Sequence, residues 1–194
     1  MIRLRTLNAT AAVAACFALA ACGGGTKTAE IPSGSASDNT GTSATVETTP
    51  TTTTLSPPTP EVKRLAGAVG TSPKKRPKIV TPKGTPPTKL IADDIVVGKG
   101  PAAKTGDALT VDYVGANWSN GKVFDESWKR KQTFPVTLGQ GVIQGWSDGL
   151  VGAKAGGRRM LVIPPDLGYG ANGSPPSIGP NETLIFVIDV RKIG

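Results

Sequence analysis

The chain has 194 residues, a net charge of +8, 25 glycines, 17 prolines, two cysteines and no histidine. The missing histidine excludes Cys/His dyads and imidazole metal sites. The positive charge invites nucleic acid as a partner, but its distribution argues against one. Residues 23–90 carry nine basic and four acidic side chains, whereas residues 91–194 carry eleven and ten and show no basic stripe.

Residues 1–21 read as an export signal. Arg3 and Arg5 form a positive start, and the Ala-rich run that follows is too short to anchor in a bilayer. It ends in Leu19-Ala20-Ala21-Cys22, which resembles the bacterial lipobox, where the signal is cut before a cysteine that becomes diacylated. The competing reading is an ordinary secretory signal with an incidental cysteine. Cys16 would leave with the signal, so Cys22 would stand alone, able to form neither an internal disulfide nor a metal thiolate cluster. Two acyl chains on Cys22 would hold the protein stably on the extracytoplasmic face of a membrane.

Residues 22–77 read as a disordered tether. Thr51-Thr52-Thr53-Thr54 and Pro57-Pro58-Thr59-Pro60 are low in large apolar side chains and favour extended, polyproline-like backbone. Lys74-Lys75-Arg76 reads as a solvated charge run or, more sharply, a lipid-headgroup contact. The folded domain is expected over residues 78–194.

Within it, Ile95-Val96-Val97 and the alternating run from Leu109 to Gly115 read as strands, with Asn120-Gly121 as a hairpin turn. Val123 and Phe124 begin the return strand, and residues 128–133 read as a polar excursion. Phe134 to Leu138 is a further short strand. A short helix follows, with Val142, Trp146 and Leu150 at i, i+4 and i+8 on one face and Ile143 beside Trp146. Arg158 to Ile163 is a strand stopped by Pro164-Pro165. Residues 166–180 form a Gly/Pro/Ser loop holding Tyr169, and Thr183 to Arg191 closes the domain as a strand. The elements describe an α+β domain, a curved antiparallel sheet wrapped around one short helix. Asp125 at a strand end beside that helix suits an apolar cup with one carboxylate at its rim.

Five separated motifs then point to one family: Tyr113-Val114-Gly115; Gly121-Lys122-Val123-Phe124-Asp125-Glu126-Ser127; Val142-Ile143-Gln144-Gly145-Trp146; Ile163-Pro164-Pro165 with Leu167-Gly168-Tyr169-Gly170; and Pro180-Asn181-Glu182-Thr183-Leu184-Ile185-Phe186. In order and spacing they resemble FKBP-type peptidyl-prolyl isomerases, from about Pro86 to the C-terminus. The lipobox and proline-rich lead-in resemble the FKBP lipoproteins of actinobacteria. Asp112 stands where many members have His, the turn before Val142 is one residue shorter, and the loop 171–179 lacks a His found in some members.

The resemblance implies isomerisation of X-Pro bonds without cofactor or metal. It implies a monomer, proline-containing polypeptides as substrates, and macrolides of the rapamycin and tacrolimus type as ligands. It places Tyr113, Phe124, Phe134, Val142, Ile178 and Phe186 around the prolyl ring, with Trp146 as its floor. The Ile143 backbone N–H and the Tyr169 hydroxyl would hold substrate carbonyls, and Asp125 would face the twisting carbonyl or set the local field. Taken singly, Trp146, Phe134 and Phe186 also fit a plain core, Tyr169 a loop pin and Asp125 a turn or cap. Arg130 fits either a partner of the rim carboxylate or a solvated surface. Two other functions compete with an exported-protein isomerase: an FKBP-like module or chaperone that grips proline segments with little turnover, and a surface scaffold.

Overall fold

The structure, a computed structural model, describes residues 53–194. The signal segment, Cys22 and the tether before residue 53 lie outside the described residues. Six strands form one antiparallel sheet: β1 (Ile91–Val96), β2 (Ala108–Asn117), β3 (Val123–Glu126), β4 (Phe134–Thr137), β5 (Arg158–Ile163) and β6 (Leu184–Ile193). The order is β1-β5-β6-β2-β3, with β4 also paired to β2. β3 pairs with the second half of β2 (Gly115 opposite Asp125) and β4 with the first half (Val111 opposite Phe134). Together they form one interrupted edge strand, and the interruption holds a short helix, α2 (Ser127–Arg130). The polar excursion expected at residues 128–133 is therefore partly helical. Its start is fixed by Ser127, fully buried, whose Oγ accepts the Tyr113 N–H at 3.0 Å and donates to Asp112 at 2.8 Å.

Alternation along β5 and β6 splits the interior in two. Leu161, Ile163, Leu184, Phe186, Ile188 and Val190 face the inner cluster, with Trp146 and Leu150 of α3 (Gln144–Gly149) and its C-cap. Met160, Val162, Ile185 and Val187 face the opposite side. α3 is shorter than its apolar spacing indicates: Val142 precedes it and Ile143 is its N-cap. Its glycines let it lie directly on β5. A Cβ at Gly149 would come within 2.8 Å of the Leu161 side chain, and one at Gly145 would collide with Ile163.

The segment expected to be a disordered tether is ordered towards its end. A helix, α1 (Pro60–Val69), covers the outer face of the sheet, with Val62, Leu65 and Val69 buried among Ile91, Trp118, Met160, Val162, Ile185 and Val187. Before it, the Ser56 N–H donates to the Leu90 carbonyl at 2.9 Å. The folded unit therefore begins ahead of residue 60, not at 78. The physical reason is local. Thr59 caps the helix through its hydroxyl (3.3 Å to the Val62 N–H), and Pro60 stands where its missing N–H costs nothing. Three aliphatic side chains at i, i+3 and i+7 then make one apolar stripe. The Thr, Pro and Lys residues around that stripe mask it in the composition.

The segment after α1 closes over a buried ion pair. Arg158 and Asp189 are both inaccessible and meet through two contacts of 2.6 and 2.8 Å. Two further Arg158 N–H groups reach the carbonyls of Gly70 (2.8 Å) and Lys75 (2.6 Å). All three guanidinium nitrogens are thus hydrogen-bonded, as a buried charge requires.

Candidate active site

On the inner face, away from α1, lies a cavity of about 510 Å³. β2 supplies Tyr113, β3 supplies Phe124 and Asp125, β4 supplies Phe134, and β6 supplies Phe186. Gly141, Val142 and Ile143 come from the turn before α3, Trp146 from α3 itself, and Tyr169 from the loop after β5.

The floor and walls are aromatic. The Trp146 indole is 4 % exposed and stands edge-on to Phe186 (centroids 5.2 Å, 89°), Tyr113 (5.3 Å, 83°) and Phe134 (6.2 Å, 90°). Phe124 meets Phe186 at 5.5 Å and 85°. Each contact sets a positive ring edge on a negative ring face, the favoured arrangement, so the cup holds its shape before any ligand enters. Gly115 makes this packing possible: a Cβ there would lie 2.6 Å from the Phe186 ring and 2.8 Å from the Phe124 ring. The Trp146 Nε1–H is buried with no acceptor among the described residues.

The rim carries the polar groups. The Tyr113 hydroxyl donates to the Asp125 carboxylate, and Arg130 pairs with that carboxylate while also donating to the Tyr113 oxygen at 2.7 Å. Burial pushes the Tyr113 hydroxyl up to about 12, reinforced by its hydrogen bond to Asp125. Burial also opposes ionisation of Asp125, but the hydrogen bonds from Tyr113 and Arg130 prevail and hold its carboxyl below the ordinary value. At neutral pH the rim is therefore a neutral phenol, a carboxylate and a guanidinium. Across the cup, Tyr169 is 41 % exposed, and the Ile143 N–H has no partner among the described residues.

Nine of the ten residues expected around the cup line it. Ile178 does not: the turn at residues 174–178 closes on itself through two hydrogen bonds between Ser174 and Ile178 (2.9 and 3.0 Å), and the isoleucine sits in the inner core. Arg130 takes the first of its two readings, as partner of the rim carboxylate. Gly141 is a lining residue that the sequence motifs do not single out. Its φ of +67° favours glycine, and the bracketing of the helix by glycines is the available signal. Among the described residues no cluster of His, Cys, Asp and Glu is suited to a metal ion, and no helix is long and apolar enough to cross a membrane.

Comparison with known proteins agrees with this geometry. A family model described as FKBP-type peptidyl-prolyl cis-trans isomerase matches residues 100–191. An FK506-binding protein of Streptomyces anulatus is 46% identical over 121 residues, covering 61% of this chain and 98% of the relative. An FK506-binding protein of Neisseria meningitidis serogroup B is 45% identical over 106 residues, covering 54% and 95%. Among solved structures, FkpA from Escherichia coli superposes with a TM-score of 0.51 at 42% identity, covering 55% of this chain and 48% of that one. AtFKBP13 superposes with a TM-score of 0.51 at 37% identity, covering 56% and 96%.

Proposed function

The chain belongs to the FKBP-type peptidyl-prolyl cis-trans isomerases, and from that premise we propose that its cup accelerates X-Pro isomerisation in exported or cell-surface polypeptides without any covalent or proton-transfer step. The observation that carries the mechanism is the aromatic cup closed below by Trp146, with its polar groups confined to the rim.

The X-Pro amide is held planar by resonance, with about 18–20 kcal/mol opposing rotation. Twisting breaks that resonance, so the carbonyl loses polarity and the ring nitrogen becomes pyramidal. The twisted amide is less dipolar than the planar one. A dry apolar cup therefore disfavours the planar ground state more than the twisted state, which is differential binding of the transition state. Trp146 supports the prolyl ring, while Phe124, Phe134, Tyr113 and Phe186 exclude water. The Ile143 N–H and the Tyr169 hydroxyl hold substrate carbonyls on either side of the twisting bond. Asp125, fixed by Tyr113 and Arg130, presents an oriented negative field to the twisting carbonyl.

The same cup is the place where an FK506-type macrolide, the ligand in the names of the relatives, would compete with a prolyl ring. Placement outside the cytoplasm rests on the lipobox at Cys22. A protease-coupled assay on an X-Pro peptide, with and without tacrolimus, tests the reading. Catalysed exchange abolished by the drug is expected. Drug binding without catalysed exchange would favour a proline-gripping module instead.

A further inference from the structure

The insertion that interrupts the edge strand is held from both faces of the sheet. In the β2–β6 register Tyr113 lies opposite Ile188 of the inner core, and Asp112 lies opposite Asp189. Neighbouring side chains of a strand point to opposite faces. Tyr113 therefore serves the cup, and Asp112 points to the outer face. There its carboxylate takes two partners: the Ser127 hydroxyl donates to one oxygen at 2.8 Å and Arg191 Nε–H to the other at 2.6 Å. The Arg191 guanidinium also lies over the Trp128 indole, its carbon 5.2 Å from the ring centroid, an attraction that adds to the ion pair. Ser127 and Trp128 are the first two residues of α2. The start of that helix is thus fastened to β2 and β6. None of these four side chains belongs to the apolar cluster under α1.

α2 is a single turn. Ser127 is its first residue and Arg130 its last, and the Lys131 N–H closes it on the carbonyls of Ser127 and Trp128. With so little helix between them, the place of Ser127 sets the place of Arg130. Arg130 returns to the cup rim, where it pairs with the Asp125 carboxylate and donates to the Tyr113 oxygen at 2.7 Å. The side chains of Arg130 and Asp125 are 46 % and 43 % exposed, so packing at the rim does not confine them. An exposed pair of this kind loses much of its attraction to side-chain entropy. A fixed backbone beneath Arg130 lowers that loss.

Resting on the isomerase reading of the cup, we propose that Asp112, Ser127 and Arg191 are positioning residues for catalysis, fixing α2 from the outer face so that Arg130 holds Asp125 aimed at the twisting carbonyl. None of the three lines the cavity, so their effect reaches substrate through Arg130. A group that stabilises a transition state must be held within about 0.5 Å of its productive place. Loosening its support lowers kcat and leaves ground-state binding as it was.

The test is a double-mutant cycle between the two faces, read as kcat and KM for a neutral X-Pro peptide and as Tm. Arg191→Leu is expected to lower kcat about fivefold, with KM as in the native protein. Asp112→Asn keeps an oxygen for the Ser127 hydroxyl and removes the ion pair, so a loss of about threefold is expected from a variant of nearly unchanged shape. Arg130→Leu removes the group being positioned. In that background either outer-face substitution should lower Tm as it does alone, yet leave kcat no lower than in Arg130→Leu itself. Native kcat in both Arg191→Leu and Asp112→Asn overturns the proposal. Equal fold-losses with and without Arg130 also overturn it, and assign the network to stability alone. Should Arg191→Leu fail to fold, the Asp112→Asn cycle decides by the same criteria. Absence of catalysed exchange by the native protein is a separate failure, which removes the isomerase reading and the proposal with it.

Discussion

Replacing Leu65 by alanine tests whether α1 is part of the folded unit. An isolated helix of ten residues is barely stable in water, so α1 persists because its apolar stripe is buried. Leu65 is 3 % exposed and packs in the cluster that includes Met160, Val162, Ile185 and Val187. Removing a buried leucine side chain costs about 2–5 kcal/mol, the higher end where the surroundings cannot collapse. Here one wall of the site is a β-sheet, which gives little. For a folded unit of this size each kcal/mol lowers Tm by about 3 °C, so a fall on the order of 6–15 °C is expected. Isomerase activity per folded molecule should not change at 20 °C, because α1 and the cup lie on opposite faces of the sheet. Arg64→Ala serves as control, since that side chain is exposed and pairs only with Glu61 and the Thr81 carbonyl. Thermal unfolding followed by circular dichroism, alongside the peptide assay, reads both quantities. A Tm for Leu65→Ala within 1–2 °C of the native protein, on the scale that separates noise from about 2 kcal/mol, together with native stability of a chain beginning at Lys78, would refute the reasoning. The tether reading of residues 60–77 would then return.

Tyr169→Phe removes one hydrogen bond to substrate, worth about 0.5–1.5 kcal/mol net, so kcat/KM should fall between about twofold and tenfold with folding unaffected; an unchanged value removes Tyr169 from the mechanism. Trp146→Ala should lose both rate and about 3–5 kcal/mol of stability, since the floor is shared with the core. Trp146→Leu keeps the floor apolar and should retain more of each, as measured by the peptide assay and denaturant unfolding. Cys22→Ala should move the protein from the membrane to the soluble fraction of the source cell. Continued membrane partition would show that acylation at Cys22 is not what holds it.

Much of the cup is legible in the sequence because its members sit in compact motifs. Val123-Phe124-Asp125 and Val142-Ile143-Gln144-Gly145-Trp146 each bring several lining residues within a few positions, and strand alternation places Tyr113 and Phe186 on one face. Ile178 departs from expectation because a short turn can direct its side chain either way, and nothing local indicates that Ser174 closes the turn. α3 starts two residues later than its apolar spacing indicates. Val142 and Trp146 share a side through the bend at Ile143, not through a helical repeat. α1 is hidden by composition: its three buried aliphatic residues are diluted by a Thr/Pro-rich setting, yet the cap, the proline and the i, i+3, i+7 stripe specify a helix.

The claim that catalysis rests on an apolar cup and not on proton transfer is tested most directly by the pH dependence of kcat/KM on a neutral X-Pro peptide. Tyr113, raised to about 12, stays protonated. Asp125, held below its ordinary value, stays charged. Its stabilising contribution to the rim is complete above the usual carboxylate range and is lost only as pH falls through the depressed value, on the acid side of that range. No histidine is present to titrate between these limits. kcat/KM should therefore be flat within experimental error from pH 6 to pH 8, measured by a protease-free exchange method such as NMR. A tenfold change across that interval would mean that a protonation step limits the reaction, and would contradict the mechanism.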